Sequence, residues 1–119
     1  MNPKPGEVWL ADLGLTAKTR PVVIVSRYDP NPPRALVIYV PLTTQNRESL
    51  YEVALPKLHF LERESVANVQ GLASIPRMRL ERKLGKVPDE VMLKIKQAIL
   101  FALDLEPDDP QNGSSETVG

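Results

Sequence analysis

Apolar residues are gathered along this chain into short β-branched runs parted by polar, proline-bearing connectors, and they fall into a helical rhythm only near the end. The stretch Gly6-Glu7-Val8-Trp9-Leu10-Ala11-Asp12-Leu13 alternates loosely between polar and apolar and predicts a first strand. After a loop at residues 14–20, Pro21-Val22-Val23-Ile24-Val25-Ser26 reads as a nearly buried strand, with Pro21 at its start, where a missing N–H costs little. The turn-rich Asp29-Pro30-Asn31-Pro32-Pro33 leads into a third strand, Ala35-Leu36-Val37-Ile38-Tyr39-Val40, ending at Pro41. Residues 51–55 alternate as a fourth strand, residues 65–69 supply a fifth, and Gly71 and Pro76 bracket a short extended piece. Residues 77–83 are expected as a brief helix and residues 84–87 as a short final strand.

The helical rhythm is carried by Val91, Ile95, Ala98, Ile99 and Ala102, spaced by three and four, with Met92 and Leu103 widening the stripe. Asp89, following Pro88, is expected to cap this helix, where a carboxylate meets the positive end of the dipole. Beyond Glu106 the chain turns polar and carries Pro, Gly and Ser; such a segment buries too little apolar surface to offset its ordering entropy. A single domain over residues 1–105 and a disordered tail over 106–119 are therefore expected. Several short strands followed by one helix predict a strongly bent antiparallel sheet closing toward a barrel.

Charge and composition narrow the function. Fifteen basic residues balance fifteen acidic ones. A protein that coats duplex DNA carries a positive excess, so any nucleic-acid binding here has to be local, in one lined groove. With no cysteine there is neither a disulfide framework nor a thiolate metal site, which favours a reducing compartment. The first residues lack the apolar core of a signal peptide, and no run is long enough to span a bilayer, so a cytoplasmic address without membrane contact is expected. One histidine, His59, sits in a connector among scattered carboxylates, a pattern that offers no metal-ligand spacing. Trp9 and Tyr39 lie inside apolar strands and are expected to pack in the core rather than stack on bases.

Five pieces in one order carry a resemblance. They are Gly6-Glu7-Val8-Trp9, then Arg20-Pro21 opening an aliphatic strand, and then Val40-Pro41-Leu42-Thr43-Thr44. The paired segments from Ser65-Val66 to Ser74-Ile75 follow, and last the stretch from Leu80 to Val87 before the helix. Over roughly residues 6–103 the sequence resembles the MazF/PemK family of toxins. The resemblance implies an SH3-like barrel with a C-terminal helix, a mainly β fold assembled as a two-fold homodimer. It also implies a metal-independent, cofactor-free endoribonuclease acting on single-stranded RNA and restrained by a cognate antitoxin. In that chemistry the ribose 2′-hydroxyl attacks the adjacent phosphate. A cation must offset charge growing on the phosphoryl oxygens, and two protons must move.

By resemblance Arg20 supplies that cation, its planar fork suiting phosphate oxygens. Thr43 matches the family's active-site threonine, with Thr44 its substitute should the register slip by one. Asn68 and Gln70 stand where some relatives place an Arg and an Asp as acid and base. Neither amide titrates, but both can hydrogen-bond a base edge or a phosphate. Lys18, Arg77 and Arg79 complete the expected RNA-binding set. The loop at residues 14–19 is shorter than the one many members carry over substrate, which bears on base specificity. Two other classes compete: a non-catalytic RNA-binding module of the same fold, and a gyrase poison like CcdB. The polar tail offers the latter no aromatic anchor.

Overall fold

Seven strands and one helix follow one another in a computed structural model whose described residues are 2–14 and 18–105. They are β1 (Glu7–Asp12), β2 (Thr19–Ile24), β3 (Leu36–Thr43), β4 (Glu52–Ala54), β5 (Val66–Asn68), β6 (Ala73–Pro76), β7 (Leu80–Lys86) and α1 (Asp89–Ala102). Single 310 turns at Val69–Gly71 and Arg77–Arg79 join β5 to β6 and β6 to β7. The strands pair antiparallel in the order β4-β5-β3-β2-β1-β7, with β6 added along β3. The tail expected at 106–119 lies outside the described residues, as does the middle of the β1–β2 loop.

The sheet is strongly bent because β3 changes partners along its length. Leu36 to Tyr39 pair with β6, Leu42 and Thr43 pair with β5, and β2 runs along Val40 from the other side. The hydrogen-bonded path stays open between β4 and β7, so the barrel is approached rather than closed. The mainly β fold with a C-terminal helix is as the sequence implies.

Alternation sends neighbouring residues of β2 into two cores. Val23 joins Val8, Val40, Leu42 and Ala67 beneath the helix residues Val91, Met92, Ile95 and Ala98. Val22 and Ile24 join Trp9, Ala11, Val37, Tyr39 and Ile75 in the other. A strand buried on both faces needs the unbroken aliphatic run that Val22 to Ile24 provides. Trp9 and Tyr39 are core residues, 9% and 8% exposed, and the Trp9 indole N–H donates to Glu7 Oε1 at 3.0 Å.

Four local expectations are corrected. Residues 77–83 do not form a helix: only Arg77–Arg79 turn, and Leu80 begins β7. The run of charges that imitates a helix face arises from two register shifts in the β1–β7 ladder, which present Glu81, Arg82 and Lys83 all to solvent. β2 starts at Thr19, so Pro21 is its third residue, just before the β2–β3 ladder begins at Val22. β3 runs through Pro41 to Thr43 instead of stopping. Asp89 is the first helical residue and not the cap; Pro88 holds that position, and its carbonyl takes the N–H groups of Val91 and Met92. The charge of Asp89 still lies in the first turn, where the dipole favours it.

Candidate functional site

Cross-strand register assembles the site. Val22 pairs with Pro41 on β3, and continuing that register two residues sets Arg20 opposite Thr43. Thr43 in turn pairs with Val66 on β5, and Asn68, two residues further along the same face, pairs with Glu52 on β4. Residues directly opposite in an antiparallel ladder share a face. Arg20, Thr43, Asn68 and Glu52 therefore lie along one face across four strands, although they come from distant parts of the sequence. Arg20 is exposed there.

Beside Thr43 opens a cavity of about 430 Å³, lined by Thr43, Asn68, Gln70 and Glu52 together with Gln45, Arg47, Ser49 and Tyr51. Thr43 Oγ1 accepts the Gln45 N–H at 3.2 Å, which leaves the hydroxyl proton free to be donated. Asn68 caps the 310 turn, its Oδ1 accepting the Gln70 N–H at 3.1 Å, so its amide NH2 remains available. Gly71 closes the turn because a Cβ there would lie 2.6 Å from Pro41 Cγ; only glycine lets the turn rest against β3.

Glu52 and the segment before it escaped the sequence reading. The Glu52 carboxylate collects three donors: the Ser49 N–H at 3.0 Å, the Ser49 hydroxyl at 2.8 Å and the Arg47 N–H at 3.2 Å. The Ser49 bonds, backbone then hydroxyl, are the chief reason its pKa lies below the ordinary 4.5. A carboxylate so held is a poor proton acceptor at neutral pH. The local signal was Ser49 three residues before Glu52; the Glu52–Asn68 pairing is non-local and has no signature in sequence.

The remaining expected residues scatter. Lys18, at a φ of 55°, sits in the β1–β2 turn, and the Arg79 guanidinium lies beside Gly14 of the same turn. Arg77 stands apart, donating to Asn2 Oδ1 at 3.2 Å and lining a cavity of about 580 Å³ with Arg27, Asp29 and Ile38. Thr44 alternates to the far face, in a cavity with Phe60, Arg63 and Arg82. His59 is exposed and meets Phe60 edge-on at 5.4 Å. Among the described residues no three His, Asp or Glu side chains converge as metal ligands.

Comparison with known proteins identifies the pattern. The model of the family described as "PemK-like, MazF-like toxin of type II toxin-antitoxin system" matches residues 4–103. A Mycobacterium tuberculosis relative named probable endoribonuclease MazF5 is 32% identical over 103 residues, 86% of this chain and 94% of that protein. The chain superposes on a mycobacterial endoribonuclease solved in complex with its cognate antitoxin at a TM-score of 0.77. The two are 31% identical, over 89% of this chain and 99% of that one. The M. tuberculosis toxin MazF-mt6 gives a TM-score of 0.75 at 29% identity, over 85% and 99%.

Proposed function

The chain belongs to the PemK-like, MazF-like toxins of type II toxin–antitoxin systems, and on that premise we propose that it is a metal-independent endoribonuclease cutting single-stranded RNA at the face shared by Arg20 and Thr43. What supports this reading is the β2–β3 ladder, which begins at Val22 and Pro41, two residues from Arg20 and from Thr43, together with the cavity that Thr43 lines with Asn68 and Gln70. A guanidinium never loses its charge at physiological pH and can face two phosphoryl oxygens at once. Thr43 donates its hydroxyl proton to a phosphate oxygen. The 2′-oxygen forms a bond to phosphorus, the bond to the 5′-oxygen breaks, and the products carry a 2′,3′-cyclic phosphate and a 5′-hydroxyl. The 2′-hydroxyl proton leaves to water and the departing 5′-oxygen takes one back, since neither Asn68 nor Gln70 titrates. Those two amides read an unstacked base.

The toxin domain spans residues 1–105, close to the 4–103 that the family model matches. Leu36 and Ile38, each 42% exposed, leave an apolar area on β3 that a two-fold homodimer would cover. Lys18 and Arg79, near one turn, add to the positive potential around the groove. A cognate antitoxin with an acidic segment competes with RNA for that potential. No helix among the described residues is long and apolar enough to cross a membrane, and the cytoplasm, where mRNA is translated, is the compartment the activity requires. Against the gyrase-poison alternative stand relatives named as endoribonucleases.

The test is incubation of purified protein with a long, weakly structured RNA in EDTA, followed by chemical analysis of the fragment ends. Defined fragments with cyclic-phosphate and 5′-hydroxyl ends are expected. RNA that is bound but intact would favour the non-catalytic binding module, a reading supported by the two amides where relatives carry titratable groups.

A further inference from the structure

Among the described residues lining the cavity beside Thr43, Arg47 is the one cation and Glu52 the one carboxylate. The Arg47 guanidinium is exposed and, among the described residues, makes one long hydrogen bond, donating to the neutral Gln45 Oε1 at 3.4 Å. Its charge helps to hold the Glu52 carboxylate ionised, and its exposure leaves its N–H donors within reach of a ligand. Its backbone is held firmly by contrast, because the Arg47 N–H donates to Glu52 Oε2 while Ser49 donates twice to Oε1. Between them Glu48 takes a φ of 57°, a left-handed conformation that needs such support in a residue other than glycine. The β3–β4 segment is wound around one carboxylate, and most of that carboxylate's accepting capacity is spent on it.

Resting on the endoribonuclease reading, we infer that Arg47 binds an RNA backbone phosphate flanking the one served by Arg20 and Thr43, and that Glu52 is its positioning residue, holding the segment so that the guanidinium faces the cavity. A guanidinium suits this task because its fork accommodates two phosphate oxygens. A negative charge beside an RNA groove repels phosphate when it acts alone. The two roles open to Glu52 therefore predict opposite signs: removing it weakens RNA binding if it positions Arg47, and strengthens binding if it only repels.

The experiment measures binding of a short random-sequence RNA with 2′-O-methyl riboses, which lacks the attacking hydroxyl, by fluorescence anisotropy across a salt series. Initial cleavage rates on an unmodified transcript accompany it. Arg47→Ala is expected to reduce the slope of log affinity against log salt by about 0.7, the share of one phosphate contact on a single strand. It should raise KM about tenfold while kcat stays within about twofold, as for contacts made equally in ground and transition states. Arg82→Ala, on the opposite face, should leave both unchanged. Glu52→Gln should weaken binding in the wild-type background and add nothing in an Arg47→Ala background, since residues acting through one contact are not additive. An unchanged salt slope and KM in Arg47→Ala overturn the phosphate contact. Tighter binding by Glu52→Gln, or a full additive effect in the double variant, overturns the positioning role. A wild-type protein that neither binds nor cuts RNA refutes the endoribonuclease reading itself, an outcome distinct from a wild type that binds with a slope Arg47→Ala retains.

Discussion

Replacing Gly71 with alanine perturbs the site through a single methyl group. Gly71 is not among the positive-φ glycines, so the substitution adds no backbone strain and its effect is steric. The new Cβ would stand 2.6 Å from Pro41 Cγ and 3.1 Å from Cδ, where ordinary contact begins at 3.4 Å, an overlap of about 0.8 Å. Pro41 cannot yield readily: its ring is stiff and β3 is paired with Val22 at that residue. The 310 turn must give instead, and it carries Asn68 and Gln70 away from Thr43. Overpacking of this kind costs about 2 kcal/mol, which for a domain of this size lowers the unfolding midpoint by roughly 10 °C. A displacement approaching 1 Å at a reacting site costs up to about 10²-fold in rate, so a loss of about 10- to 100-fold in kcat/KM is expected. Thermal melts, and initial cleavage rates taken well below the midpoint, measure the two effects separately. A lowered midpoint with full activity would show that the turn has no part in the site. No change in either would show that the turn does not pack on Pro41.

Gly85→Ala should destabilise more than Gly71→Ala, by about 3 kcal/mol, because its Cβ would run into the Phe60 ring and push that connector off the core; calorimetry checks the ranking. At Glu7, desolvation alone would raise the pKa, but the Lys4 N–H, the Trp9 indole and Lys83 together outweigh it and leave the value lowered. Its contribution is then whole at neutral pH and is lost as pH falls from about 4.5 through the lowered folded value. Glu7→Gln should accordingly flatten the acid limb of a melting-temperature profile, and an unaltered limb would contradict the assignment. For assembly, sedimentation at micromolar protein should give a dimer of the 13.3 kDa chain, and Ile38→Lys should shift it to monomer; a wild-type monomer that cleaves RNA would remove the dimer from the account.

Local pattern made much of this fold legible. The aliphatic runs at Val22–Ile24 and along β3, and the three-and-four spacing from Val91 to Ala102, fall within β2, β3 and α1, with the helix placed to within a residue and the strand ends shifted by one to three. What failed was decided by pairing. Arg77 to Lys83 looks helical because charges and apolar residues alternate irregularly, yet the free edge of β1 recruits Leu80 onward as a strand, and bulges absorb the irregularity. The same holds at the site. Thr43, Asn68 and Gln70 were named from a resemblance and do line one cavity, whereas Arg77, from an equally basic stretch, lines another. Glu52 is not legible as part of the site because only the β4–β5 register brings it beside Asn68, and Arg47 follows through the bond from its N–H to Glu52. Single-chain periodicity reports which face a residue takes, not which strand it meets there.

The most direct measurement compares wild type and Arg20→Ala on one single-stranded RNA in EDTA under single-turnover conditions, with both proteins confirmed folded by melting. Loss of one fixed charge-stabilising donor commonly costs about 10²–10³ in rate. The account predicts cleavage by wild type without added metal and a fall of that size in the variant, with little recovery in Arg20→Lys, because a point charge cannot reproduce the two-oxygen contact. Cleavage by Arg20→Ala at the wild-type rate, or wild-type cleavage that EDTA abolishes, would contradict it.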